Sequence, residues 1–504
     1  MTRLRALLAG FEAAVVAGPA DPEVSGATLD SRQVRPGHLF FAVAGQHTDG
    51  RAHVADAVAR GAAGVVATEP IELNGAATSV AVVRAPTPRR LLGLVASRLA
   101  GDPSAALTLV AVTGTNGKTT TAYLLDGIWR AAGHRTGLIG TVVYRVGETS
   151  RSAPFTTPEA PELQALLAEM RAAGVTHAVM EVSSHALAQD RVAGCRFDAA
   201  VFTNLTRDHL DFHGDLDAYY AAKARLFLEH LPASGKADPV AVVNVDDPTG
   251  MRLAAAVRTR CVPVGRSPQA AVTVRDVRST LDGTRGTLVF GSEAVPFTSP
   301  LVGAPHTENI MGAAATAWAL GMAPETIAAG IGTAEPPPGR VERIAGPGFT
   351  VVVDYAHSPD ALQRLLEAMR PLTPGALITV FGCGGDRDRG KRPIMGEAAA
   401  RLSDVVVLTS DNPRTEEPLA ILRDIELGVR AGGMEPLPSA KPGLCGYVVE
   451  PDRRAAVAFA IRLARPGDLV VVAGKGHEDY QIVGREKRHL DDREQVRQAL
   501  EGLA

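Results

Sequence analysis

Cysteine is scarce in this chain: four in 504 residues, Cys195, Cys261, Cys383 and Cys445. They lie far apart, with neither the paired spacing of a zinc site nor a disulfide framework, so reduced thiols in cytosol are expected. An excess of one charge is also missing. The 52 basic residues face 55 acidic ones, a formal net charge of −3 with no polybasic block, which argues against an electrostatic binder of nucleic acid or membrane. Any anionic substrate must therefore be held by local charge. No apolar run reaches the roughly 18 residues needed to span a bilayer, and Glu12 interrupts the stretch after Arg3 and Arg5, so neither export signal nor membrane anchor is expected. There is no short-period repeat and no low-complexity tail.

What is present is length and alternation. A chain of 504 residues exceeds one core and suggests about three domains. Two breaks rich in structure-stopping residues, Gly-Asp-Pro-Ser (101–104) and Glu-Pro-Pro-Pro-Gly (335–339), separate three blocks. We expect domains at 1–104, 105–337 and 338–504. In the middle block apolar β-rich runs at 107–112, 177–182, 199–202 and 240–244 alternate with helical stretches such as 162–173 and 217–228. That alternation predicts a parallel sheet covered by helices. The last block repeats it at 350–353, 377–381, 404–409 and 468–473; the first is a smaller unit with strands near 40–43 and 64–67. The fold class is thus α/β in three domains: a central P-loop-type parallel sheet with helices, a C-terminal Rossmann-like domain and a smaller N-terminal one. Ligands of such sheets gather at the carboxyl ends of strands, so the polar residues there are where chemistry is sought.

The strongest of these ends is Gly-Thr-Asn-Gly-Lys-Thr-Thr (114–120), which follows an apolar strand and opens a helical stretch over 119–129. Gly114 and Gly117 let the backbone turn its N–H groups toward phosphate oxygens, Lys118 supplies a point charge and a Thr hydroxyl suits Mg²⁺. This is a nucleotide triphosphate loop, but a variant one: Val112 stands where the general P-loop has its first glycine.

Other strand ends carry further candidates. Glu181 suits Mg²⁺, or caps the next helix. His209 and His213, four apart, sit on what reads as one helical face; zinc ranks low because no Glu follows His209 and no cysteine is near, and His213 reads best as an ordinary histidine. Lys223 lies on a helix among aromatic and small residues; most such lysines snorkel to solvent, whereas a desolvated one turns nucleophilic and can take up CO₂ as a carbamate. In the last block, Asp-Tyr-Ala-His (354–357), a glycine turn crowded with basic groups (382–392), Asp-Asn-Pro-Arg (411–414) and Gly-Lys-Gly-His-Glu (474–478) all follow strands. Arg414 presents a planar fork that matches a carboxylate.

Taken together, the loop, Thr-Thr-Pro-Glu (156–159), Glu-Val-Ser-Ser-His (181–185), Asn-Leu-Thr-Arg-Asp-His-Leu-Asp (204–211) and the Tyr-Tyr-Ala-Ala-Lys segment (219–223) resemble the Mur ligases of peptidoglycan synthesis, in the diaminopimelate-adding branch, over nearly the whole chain. The resemblance accounts for Val112, since the family loop is short. It implies that Leu29, Ser31 and Gln46, His47 and Thr48 hold the UDP moiety, and that Thr156, Thr157, Ser183, Gln189 and Arg191 position the muramoyl dipeptide. It places ATP on Gly114, Thr115, Asn116, Gly117, Lys118, Thr119 and Thr120 with Asn309, Arg340 and Asp354. It assigns Mg²⁺ to Thr119, Glu181, His209 and a carbamylated Lys223, with Lys118, Lys223 and His209 in catalysis. Arg387, Asp411, Asn412, Pro413, Arg414, Gly474 and Glu478 match the diaminopimelate pocket. The physics agrees, because diaminopimelate differs from lysine by a distal carboxylate that Arg414 can pair with, and Glu478 suits the distal ammonium.

The implied reaction joins meso-diaminopimelate to the D-glutamate γ-carboxylate of UDP-N-acetylmuramoyl-L-alanyl-D-glutamate through an acyl phosphate, in a cytoplasmic, monomeric enzyme whose domains close on their substrates. Three rivals remain: a lysine-adding homologue, a folylpolyglutamate synthetase-like ligase, and a scaffold that keeps the loop without chemistry.

Overall fold

The computed structural model describes residues 1–45, 49–69, 71, 79–437, 443 and 445–503. The chain is α/β throughout and its strands form three main sheets. Each sheet separates two apolar cores, because successive side chains of a strand point to opposite faces. In the strand Thr108–Thr113, Val110 and Val112 enter one core while Leu109 and Ala111 enter the other. Val352 and its neighbours Val351 and Val353 divide likewise in the last block, as do Phe40 and Phe41 in the first. Strands buried on both faces read as continuous apolar runs, which is why they were visible in the sequence.

The central sheet has eleven strands. Seven are parallel, in the order Thr136–Ile139, His177–Glu181, Thr108–Thr113, Ala199–Phe202, Val240–Asn244, Arg260–Val264 and Val272–Thr280. Helices Lys118–Ala131, Ala304–Ala319 and Pro324–Thr333 cover one face; Ala160–Ala172 and Leu216–Arg225 cover the other. Antiparallel strands extend both edges: Val143–Val146 and Thr149–Ser152 on one side, and Gly283–Phe290 and Glu293–Ser299, continuing from Val272–Thr280 as a meander, on the other. The predicted helix at 217–228 ends instead at Arg225 and passes into a π-turn, Leu226–His230.

The C-terminal sheet runs Glu342–Ala345, Thr350–Asp354, Leu469–Ala473, Leu377–Phe381, Val405–Leu408 and Gly446–Val449, with only the first antiparallel. A fully buried ion pair joins Arg453 to Asp492 by two hydrogen bonds of 2.7 Å, while the same guanidinium donates to the carbonyls of Ser410 and Ala473. It thereby ties together two strand ends that carry candidate site residues. Among the described residues the N-terminal sheet is five-stranded, Ala14–Ala17, Ala81–Arg84, Gly64–Ala67, His38–Phe41 and Gly26–Thr28. Its helix Pro88–Leu99 packs on Ala160–Ala172 of the central block.

Candidate active site

The loop at 114–117 leaves the strand Thr108–Thr113 and enters the helix Lys118–Ala131. Both glycines are required. Gly114 has φ +149° and a Cβ there would lie 1.9 Å from Thr203 Oγ1; Gly117 has φ +87° and its Cβ would lie 2.2 Å from Asn309 Oδ1. The helix has no side-chain cap, so its first N–H groups face the cleft. Asn204 holds the loop by accepting from Asn116 N on its side chain (2.9 Å) and from Thr115 N on its carbonyl (2.9 Å). Lys118 Nζ donates to the carbonyls of Gly114 (3.0 Å) and Thr115 (2.8 Å). Asn116 Nδ2 reaches across to Asp360 Oδ2 of the C-terminal block at 3.0 Å.

Glu181 is the last residue of its strand and 0% exposed. Its carboxylate accepts from Thr119 Oγ1 (3.0 Å), Thr141 Oγ1 (3.0 Å) and Thr141 N (2.8 Å). The alternative capping role falls to Ser183, whose hydroxyl accepts from Ala186 N. A carboxylate and hydroxyls within hydrogen-bond distance of one another form a hard oxygen set suited to Mg²⁺. The same place gathers the residues predicted for the dipeptide. Thr156 bonds Thr141 (3.1 Å), Thr157 Oγ1 donates to Glu181 O (2.9 Å) and accepts from Ser183 N (3.1 Å), and Arg191 donates to Thr157 O (3.0 Å) and Gln189 Oε1 (2.7 Å).

Lys223 is 1% exposed. Its Nζ donates to Gly114 O at 2.8 Å, the same carbonyl that Lys118 uses, and lies 4.7 Å from the Tyr219 ring centre. Burial and then the Lys118 charge hold its pKa well below the ordinary lysine value; no carboxylate is ion-paired with it among the described residues. Lowering an amine's pKa by burial favours its neutral, nucleophilic form. Lys223 does not snorkel.

The histidine pair differs from expectation. His209 stands outside the four-residue turn Leu210–His213, at its N-cap with φ +54°, so the two do not share a helical face. The His185 ring lies between them, 4.9 Å from His209 and 5.6 Å from His213, and His213 Nε2 is 2.9 Å from Ser184 Oγ. Among the described residues no group of three or more His, Cys, Asp or Glu is placed to hold a metal. Burial lowers the pKa of His209 to about 4, leaving a neutral imidazole beside Asp208 at 3.6 Å.

Two clefts meet here. The first, about 260 Å³, is lined by residues 115–120, Glu181, Ser183, Asn309, Arg340 and Asp354. Asp354 is shaped by two backbone donors, Val341 N and Ala356 N, both at 2.8 Å. The second, about 760 Å³, is lined by Arg387, Asp411, Asn412, Arg414, Gly474 and Glu478. Their common wall is Asp208, His209, Tyr355 and His357. In the second cleft Arg414 has φ +53°, and its Nη1 donates to Gly385 O at 2.7 Å; Pro413 is buried beneath the turn. Lys475, fully buried, lies 3.4 Å from Asp411 Oδ1, 3.2 Å from Asn412 Oδ1 and 3.4 Å from Glu478 Oε2. Leu29 and Ser31 sit at the end of the strand Gly26–Thr28 and line neither cleft; Gln46, His47 and Thr48 lie outside the described residues. Sequence reasoning missed Thr141, which no motif marks, and gave no task to Asp208, Tyr355 and Lys475, although each stands inside a motif.

This fold and paired cleft belong with the Mur ligases. Residues 23–98 match the Mur ligase family catalytic domain, 112–317 the Mur ligase middle domain and 339–476 the Mur ligase glutamate ligase domain. The chain is a member of the Mur ligase family. Within it, the chain is 50% identical over 482 residues (95% of this chain, 94% of the relative) to the UDP-N-acetylmuramoyl-L-alanyl-D-glutamate–2,6-diaminopimelate ligase of Gloeobacter violaceus. It is 46% identical over 489 residues (96% and 95%) to the enzyme of the same name from Geobacter metallireducens. A solved structure of a ligase with that name superposes with a TM-score of 0.68 at 35% identity, covering 95% of each chain.

Proposed function

We propose that this protein uses ATP to join meso-2,6-diaminopimelate to the D-glutamate γ-carboxylate of UDP-N-acetylmuramoyl-L-alanyl-D-glutamate, in the cytoplasm and as a monomer. The observation that carries this reading is the meeting of the two clefts at Asp208, His209, Tyr355 and His357. One cleft has the phosphate loop; the other is lined by three arginines, Arg207, Arg387 and Arg414, with which no carboxylate is ion-paired among the described residues. Among the described residues, no helix is long and apolar enough to cross a membrane. The reading keeps the division at 1–104, 105–337 and 338–504, with the UDP moiety on the first domain near Leu29, Ser31 and residues 46–48.

In this reading the triphosphate lies along residues 114–120, with its nucleoside side toward Asn309 and Asp354 and Arg340 near the transferring phosphoryl group. Thr119, Glu181, His209 and Lys223 as a carbamate would hold Mg²⁺, which neutralises charge on the phosphates. The D-glutamate γ-carboxylate, positioned by Thr156, Thr157, Ser183, Gln189 and Arg191, attacks the γ-phosphorus and ADP departs. The diaminopimelate amine, entering from the second cleft, then attacks the acyl carbon; phosphate leaves and the amine loses a proton. Lys118 stabilises the transferring charge, and the rest is positioning. Arg414 and Arg387 take the distal carboxylate and Glu478 the distal ammonium, so lysine would leave the arginines without a partner.

A phosphate-release assay tests the reading. Release with UDP-muramoyl dipeptide is expected with diaminopimelate and not with lysine. Release with lysine indicates the lysine-adding homologue, dependence on a folate substrate the folylpolyglutamate-type ligase, and no release with any pair a non-catalytic scaffold.

A further inference from the structure

Tyr355 belongs to the turn 354–357, forms part of the wall of both clefts, and has no task in the chemistry above. Its ring faces Arg340, whose guanidinium carbon lies 4.5 Å from the ring centre. Its hydroxyl donates to Glu478 Oε1 at 3.3 Å. Arg340 in turn reaches Thr119 Oγ1 with Nη2 at 3.5 Å, and its Nε is buried with no hydrogen-bond partner among the described residues. The arginine is thus steered by one long polar contact and by the aromatic face. Burial, and then the charge of Glu478, push the phenol far above its ordinary pKa, so it remains a donor at neutral pH. A continuous physical chain therefore runs from Thr119 through Arg340 and Tyr355 to Glu478, from the phosphate end of one cleft to the ammonium end of the other.

We propose that Tyr355 is a positioning residue that couples the two clefts: triphosphate bound at the loop orders Arg340, the ring of Tyr355 is held against it, and the hydroxyl sets Glu478 for the distal ammonium of diaminopimelate. This rests on the assignment of the two clefts made above. Its consequence is positive cooperativity between nucleotide and amine, which by linkage acts equally in both directions. Diaminopimelate meets an ordered pocket only when the phosphoryl donor is in place.

The test is calorimetric titration of diaminopimelate into the full-length protein with UDP-muramoyl dipeptide, with and without a non-hydrolysable ATP analogue. The wild type should bind diaminopimelate about tenfold more tightly with the analogue, within the usual range of coupling between sites. Tyr355→Phe keeps the ring on Arg340 and removes only the hydroxyl. It should abolish that ratio in both directions, raising the KM for diaminopimelate and removing the matching gain in ATP-analogue affinity on adding diaminopimelate, while analogue binding without diaminopimelate is unchanged. In the Glu478→Gln background, Tyr355→Phe should add no further effect. A wild type with no dependence on nucleotide overturns the coupling. So does a Tyr355→Phe variant that keeps the ratio, or one that weakens diaminopimelate equally in both conditions, which would mean a direct contact. Absence of diaminopimelate binding under every condition overturns the functional reading and the coupling with it, whereas binding with an unchanged ratio overturns the coupling alone.

Discussion

Around the phosphate loop, buried charged side chains rest on neutral dipoles; beneath the C-terminal cleft they are paired with other charges. Lys118 and Lys223 rest on backbone carbonyls, Glu181 on hydroxyls and an amide, Asp354 on two amides. Across the shared wall, Lys475 is set among Asp411, Asn412 and Glu478, Arg392 pairs with Glu416 and Asp424, and Arg453 with Asp492. The difference matches what the proposed function asks each side to bind. A triphosphate and its Mg²⁺ bring large charges that exchange neutral partners for ionic ones, so the groups meeting them are left without counter-ions. A zwitterionic amino acid brings little net charge and needs a fixed pattern, so buried charges there are committed to shape, while Arg387 and Arg414 are among the lining cations with no ion pair among the described residues.

The largest effect is expected at Arg453. Arg453→Met leaves Asp492 buried without its partner and should destabilise the protein by about 3–5 kcal/mol in denaturant unfolding. The double replacement with Asp492→Leu should recover most of that; equal loss in both variants would mean that the ion pair does not organise the second cleft. Lys223→Ala removes the buried amine of the first cleft and should lower kcat by roughly 100-fold or more, the scale for losing a group that stabilises transferring charge. With ¹³C-labelled bicarbonate, the wild type should give a carbamate carbon resonance that Lys223→Ala lacks. No such signal in active enzyme would refute the carbamate.

Arg414→Ala tests the other side. Losing a charge-assisted pair should raise the KM for diaminopimelate about 30- to 100-fold while the KM values for ATP and the UDP substrate stay within about twofold. Equal loss on all three would give Arg414 a purely structural role. The smallest effect concerns pH. Burial lowers the pKa of His306, which lines the first cleft, from 6.5 to about 4. Between those values the unfolded chain binds the proton and the folded one does not, so stability falls as pH drops through that window. His306→Gln should reduce the loss of unfolding free energy between pH 6.5 and 5 by about 1–2 kcal/mol; an unchanged pH profile would show that this burial is not felt.

Much of this organisation was legible in advance. The loop 114–120, the strand-end Glu181 and the Asp411–Arg414 turn follow from local patterns, and the structure puts each at the carboxyl end of a parallel strand. The antiparallel extensions of the central sheet were not read, since their alternation is weak and they are exposed at one edge: all four residues of Thr149–Ser152 face solvent. His209 and His213 misled because helical spacing was assumed where the backbone turns left-handed at His209. Thr141 was unreadable, being an isolated threonine after Thr136–Ile139 that becomes part of the site only because Glu181 ends the neighbouring strand.

By itself, the sequence determined which strands are buried on both faces, where the phosphate loop turns and which charged residues stand at strand ends. These are properties of a few consecutive residues, set by side-chain alternation, glycine conformation and turn chemistry. Only the tertiary structure decided that Lys118 and Lys223 share the carbonyl of Gly114, that Lys475 joins Asp411 to Glu478, and that Asp208, His209, Tyr355 and His357 form one wall between two clefts. Residues far apart in the chain acquire those distances from the packing of whole sheets and helices, and it is burial after packing, not residue type, that holds the Lys223 amine below its ordinary pKa.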